Sequence, residues 1–144
     1  MNPDYSGMLS AYEKLGGIVW IPRMLRKARL KAAGELPEDF QANVGKGFDG
    51  RCVRFLGVDY QELAARVAGG ASDEEILAWC RETGSNPNEE QIVIWNEFMM
   101  KRGWRDTDQP PEKIRDMKAR NGLGHRDDIL TYFDFYEVDE GRKP

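Results

Sequence analysis

The sequence predicts an all-α (mainly α) fold, a compact irregular bundle of about five to seven helices. Three observations lead there. Apolar residues recur along most of the chain at the spacing of one helix face. Glycines and prolines separate these stripes. Carboxylates gather where the stripes begin, the end of a helix that favours negative charge. The length of 144 residues fits one domain, residues 1–144, with an extended arm over residues 1–17. A chain of this size buries roughly 70% of its unfolded surface, enough for a core without staples.

The elements follow in order. Few residues of the arm are apolar, and Gly16-Gly17 ends it. Pro22 suits a first helical turn, and Ile21, Met24, Leu25, Ala28 and Ala32 form one face as far as the stop at Gly34. Residues 35–50 read as a loop pinned by Phe40, Val44 and Phe48, and a short helix is expected over Arg51 to Leu56. Asp59 resembles an N-cap for a stripe of Tyr60, Leu63, Ala64 and Val67 that Gly69-Gly70 closes. Ser72 and Glu75 have the spacing of a capping box, opening a helix through Ile76, Leu77 and Cys80 to Gly84. Asn86-Pro87 reads as the start of the next helix. Its apolar residues, Ile92 to Trp95, Phe98 and Met99, cover most of its circumference and suggest a central position. Trp104 to Gln109 is a loop, and Pro110-Pro111 opens a polar helix anchored by Ile114 and Met117. The aromatic segment Asp127 to Glu137 allows a short strand near the C-terminus. The spacing of Ile129, Tyr132, Phe133 and Tyr136 favours a helix.

Charge narrows the function. The chain carries −4 overall. In residues 1–34, Lys14, Arg23, Arg26, Lys27, Arg29 and Lys31 oppose only Asp4 and Glu13, leaving +4 there and −8 on the remainder. This asymmetry reads first as a solvated basic helix that pairs with acidic neighbours in the same fold, and otherwise as a contact for an acidic protein partner or a small anionic ligand. The acidic remainder and the lack of a reader motif disfavour nucleic acid. No apolar run approaches the ~20 residues of a membrane span. Cys52 and Cys80 read as free, small apolar groups in a cytoplasmic protein.

Catalytic and metal signatures are sparse, and the pattern leans against an enzyme. His125, the one histidine, stands in a loop with Asp127 and Asp128 near enough to orient it, the weak candidates for acid–base work. Those aspartates also suit a helix start. The cysteines and the histidine are too few and scattered for zinc, and no Glu-x-x-His supports a di-iron site. Gly16-Gly17 and Gly45-x-Gly47 lack the lysine and hydroxyl of a phosphate loop. No metal or cofactor is expected. The first helix is the better binding candidate. Arg23, Arg26 and Lys27 project away from its apolar stripe, Arg29 and Lys31 flank it, and Leu30 lies within the basic face. Leu30 reads either as a stray surface leucine, as a basic-rimmed anchor, or as the sign of a helix buried on two sides. Trp20 and Trp104, in less regular segments, are candidates for a pocket wall or interface.

Leu15-Gly16-Gly17, Trp20-Ile21-Pro22-Arg23 and Lys27-Ala28-Arg29 together resemble a bacterial family catalogued as a domain of unknown function. The runs Phe55 to Asp59, Gly70 to Trp79, Asp127 to Ile129, Phe133-Asp134 and Val138 to Gly141 extend the likeness over most of the chain. Arg26-Lys27 departs from it, since members often carry an acidic residue before the lysine, and the loop over residues 35–50 differs. The resemblance implies a cytoplasmic single domain, implies no reaction, and draws attention to Arg23, Lys27 and Arg29. The leading expectation is a non-catalytic binding or interaction module using Trp20, Arg23, Lys27, Arg29, Leu30 and Trp104. The alternatives are a small enzyme built on His125 and a structural homo-oligomer subunit.

Overall fold

A computed structural model describes residues 7–144. The part of the expected arm in residues 1–6 lies outside them. From Lys14 the arm becomes a hairpin, β1 (Lys14–Leu15) antiparallel to β2 (Ile18–Val19), pairing Lys14 with Val19 and Leu15 with Ile18. Gly16 and Gly17 both have positive φ, 59° and 81°, as a two-residue hairpin turn demands. Strands two residues long leave no alternating pattern in a sequence, so the expected place for a strand near the C-terminus is corrected to the N-terminal side.

Eight helices follow among the described residues: α1 (Ile21–Ala32), α2 (Glu38–Gln41), α3 (Phe48–Leu56), α4 (Tyr60–Ala68), α5 (Asp73–Thr83), α6 (Glu89–Lys101), α7 (Glu112–Arg120) and α8 (Tyr132–Asp139). The count exceeds the expected five to seven. The one-turn α2 lies in the segment expected to be loop, and the aromatic segment is helical from Tyr132. Helix α3 begins three residues earlier than expected, behind Gly47 at φ 54°.

Local chemistry explains the caps. Asp59 accepts a hydrogen bond from the Glu62 N–H, and Ser72 and Glu75 form the reciprocal capping box. Helix α6 is capped by Asn88 rather than Asn86, with Gln91 completing a second box. Pro87 precedes that cap instead of entering the helix.

The core gathers around α1. Met24 and Leu25 are fully buried with Cys52, Leu56, Leu63, Ile76, Met99 and Phe133. A satellite cluster of Met8, Leu36 and Val44, with Leu30 and Phe40 against it, covers the other side of α1. Phe40 and Val44 thus pin their segment as expected, and α1 is buried on two sides. Helix α6 is not central: Trp95, Asn96 and Met99 face inward while Val93, Ile94 and Phe98 are exposed. Asn96 fastens α6 to the hairpin, accepting from the Val19 N–H at 3.0 Å and donating to the Gly17 carbonyl at 2.8 Å. The Trp95 indole donates to the Val19 carbonyl. Among the described residues, no helix is long and apolar enough to cross a membrane.

Candidate functional site: a cationic, aromatic cavity

A cavity of about 580 Å³ opens between α1, the α2–α3 segment, the end of α6, and helices α7 and α8. Its inner wall is built from two ion pairs of α1. Arg23 grips Glu140 with two hydrogen bonds of 2.8 and 2.6 Å, donates to the Leu9 carbonyl, and lies 4.6 Å from the Tyr136 ring centre. Glu140 also accepts from Arg142. Lys27 reaches Asp49 of α3 at 3.0 Å. Asp49 is fully buried and further accepts from the Trp20 indole at 2.8 Å and from the Gly45 N–H at 3.1 Å. These partners make a buried carboxylate tolerable.

Trp20 is the hub of this wall. It adopts φ 79°, a left-handed conformation that costs a non-glycine residue energy. Packing and the Asp49 hydrogen bond hold it there: its ring stacks on Phe133, meets Phe48 edge-on, and lies 4.9 Å from the Lys27 ammonium. Burial lowers the Lys27 pKa, and Asp49 opposes that shift. Burial likewise raises the Tyr136 phenol and the Cys52 thiol, leaving Cys52 a poor nucleophile. Asp139, also on the wall, is raised by burial and then by the neighbouring carboxylates Glu140 and Asp39.

The outer wall is cationic. Lys46, Arg51, Arg54 and Lys113 line it, and none has a carboxylate within ion-pair distance among the described residues. Arg102 joins them, paired with Asp108 at 2.7 Å and Asp106 at 3.4 Å. Arg51 is held below its ordinary pKa by burial and then by repulsion from Arg102, with Arg54 acting in the same sense. Like charges crowded together attract an anion that would relieve them. Two buried guanidinium atoms on the cavity wall, Nε of Arg23 and Nε of Arg102, have no acceptor among the described residues.

This wall draws on segments scattered through the chain, and the segments match one family. The family model for Domain of unknown function (DUF5069) matches residues 6–142. The chain belongs to that family. No curated protein matches the chain.

In this DUF5069 member, the residues singled out from sequence divide into three groups. Trp20, Arg23 and Lys27 meet on the cavity wall. Arg23 and Lys27, opposite the apolar stripe, pair with the acidic neighbours Glu140 and Asp49 from other elements, and this face is buried rather than solvated, only 2% and 4% exposed. Arg29 and Leu30 lie outside the cavity. Arg29 pairs with Asp73 and donates to the Ala71 carbonyl, tying α1 to the start of α5. Leu30 is half-buried against the satellite cluster. Trp104 is exposed beside Arg105 and also lies off the cavity.

His125, Asp127 and Asp128 are exposed on the loop before α8 and line neither this cavity nor a smaller one beside Gly103. Two hydrogen bonds from Arg126 hold the Asp128 carboxyl down to about 2, so it is engaged with Arg126. No cluster of three histidine, cysteine or carboxylate side chains able to hold a metal occurs among the described residues.

Sequence reasoning missed Lys46, Arg51, Arg54, Arg102 and Lys113. A signal existed for two of them: Arg51 and Arg54 are three residues apart in a helix, where they share a face. Nothing local places Arg102 or Lys113 opposite them.

Proposed function

We propose that the chain acts as a single-domain, non-catalytic binding module whose cavity takes a small anion. One observation carries this reading: four cations, Lys46, Arg51, Arg54 and Lys113, face one cavity without carboxylate partners among the described residues. Repulsion of Arg51 by Arg102 and Arg54 costs free energy that an anion would offset. The concavity supports a small anion over an acidic protein surface, since a flat partner could not reach the inner wall. Arg23 and Lys27 belong to the site as its neutralised inner wall, and Trp20 as its rigid hub. The cavity volume lies within the roughly 300–1,000 Å³ of small-molecule sites.

Calorimetric titration with inorganic pyrophosphate tests the reading. Binding is expected, weakening as salt rises because the outer cations are partly solvated. The double variant Arg51→Ala/Arg54→Ala is expected to lose about 1.5–3 kcal/mol for each charge-assisted contact removed. Pyrophosphate binding that survives in that variant would refute the site. A second reading, self-association, is favoured by the exposed Val93, Ile94 and Phe98 of α6. A clean monomer in sedimentation at high concentration removes it.

A further inference from the structure

Phe48 precedes Arg51 by about one turn of α3, Tyr136 precedes Asp139 by about one turn of α8, and both rings meet Trp20, so aromatic rings connect a basic part of the lining to an acidic one; this deepens the anion reading, on which it rests, into a ligand class. The basic end is formed by Arg51 and Arg54 of α3 with Arg102 at the end of α6. At the other end Asp139 of α8 lines the wall half-buried, and no described residue donates a hydrogen bond to its carboxyl. Flat rings belong to the wall between: Trp20, Phe48 and Tyr136, with Phe48 and Tyr136 only partly covered by protein. Each feature asks for a different part of a ligand. Crowded guanidinium groups suit a phosphate, whose oxygens accept paired N–H donors. Partly covered aromatic faces suit a planar unsaturated ring. A half-buried carboxyl without a donor among the described residues suits an N–H or O–H group.

We propose that the cavity binds a nucleoside monophosphate. The phosphate lies among Arg51, Arg54 and Arg102, the base lies against the aromatic wall, and an amine or hydroxyl donates to Asp139. Inorganic phosphate alone would satisfy the basic end and leave the rings and Asp139 bare. A sugar phosphate would reach Asp139 without offering a flat face to the rings.

The experiment is calorimetric titration with the four common ribonucleoside 5′-monophosphates, their parent nucleosides, inorganic phosphate and pyrophosphate. At least one nucleotide is expected to bind about tenfold or more tighter than phosphate, pyrophosphate or its own nucleoside, as joined contacts at both ends require. Asp139→Ala should weaken that nucleotide several-fold and leave pyrophosphate unchanged, with circular dichroism confirming the fold. Quenching of tryptophan fluorescence by the nucleotide, reduced in Trp20→Phe, would support the aromatic wall. If pyrophosphate binds as tightly as every nucleotide, or if Asp139→Ala leaves nucleotide binding intact, the two-ended ligand is overturned and the anion site stands. If no anion in the series binds, both readings fall.

Discussion

Replacing Asp49 by alanine probes the inner wall and the core together. Asp49 accepts from Trp20 at 2.8 Å, Lys27 at 3.0 Å and the Gly45 N–H at 3.1 Å, and its side chain is fully buried. Its removal leaves an ammonium and two N–H donors without their acceptor. Stripping one partner from a buried ion pair costs about 3–5 kcal/mol. The orphaned donors would add about 1–3 kcal/mol each if they stayed dry. Two effects hold the total near the lower figure: Lys27, its pKa already lowered by burial, can shed its proton, and water can enter from the adjoining cavity. The loss is a large share of the roughly 5–15 kcal/mol that holds a domain together. Urea denaturation followed by circular dichroism measures it. With a slope of about 2–3 kcal/mol per molar for a chain of this size, the midpoint should fall by about 1–2 M. Asp49→Asn keeps an acceptor for the indole and should cost less. A loss below about 1 kcal/mol in Asp49→Ala, the range of an exposed pair, would refute the claim that this carboxylate organises the wall.

Two other outcomes follow from the same geometry. Asn96→Ala leaves the Val19 N–H and the Gly17 carbonyl without their side-chain partner, so it should cost about 1–3 kcal/mol. Faster hydrogen exchange at Val19 would localise the damage to the hairpin. Burial raises Tyr60 to about 12 and raises Tyr12 and Tyr136 as well, so the folded state keeps phenol protons that the unfolded chain releases near 10. The tyrosines' contribution to stability is therefore full below pH 10 and is lost as pH rises through the folded values. Thermal midpoints measured across that window, with tyrosinate absorbance in parallel, should show the decline; a flat contribution from these phenols would contradict their burial.

Helix existence was legible because its causes are local. The Ser72–Glu75 box, the Asp59 cap and the stripe of Met24, Leu25 and Ala28 depend on neighbours within a turn or two, and the structure keeps all of them. The hairpin escaped because Lys14–Leu15 and Ile18–Val19 are too short to alternate visibly. Helix α6 misled because an apolar circumference describes composition, and only packing decides which of Trp95 and Ile94 meets the core.

The candidate site divides along the same line. Sequence alone determined that α1 carries Arg23 and Lys27 opposite its apolar stripe, and that Trp20 stands at its entrance. Whether that basic face would meet water or protein depended on carboxylates remote in the chain. Glu140 lies 117 positions from Arg23, and Asp49 comes from α3. Only the tertiary structure brings them in and buries both cations, while Lys46, Arg51, Arg54 and Lys113 line the cavity without an ion-pair partner among the described residues. Helical periodicity is a property of neighbours along the chain, whereas charge compensation in a cavity is a property of neighbours in space, set by how the helices pack.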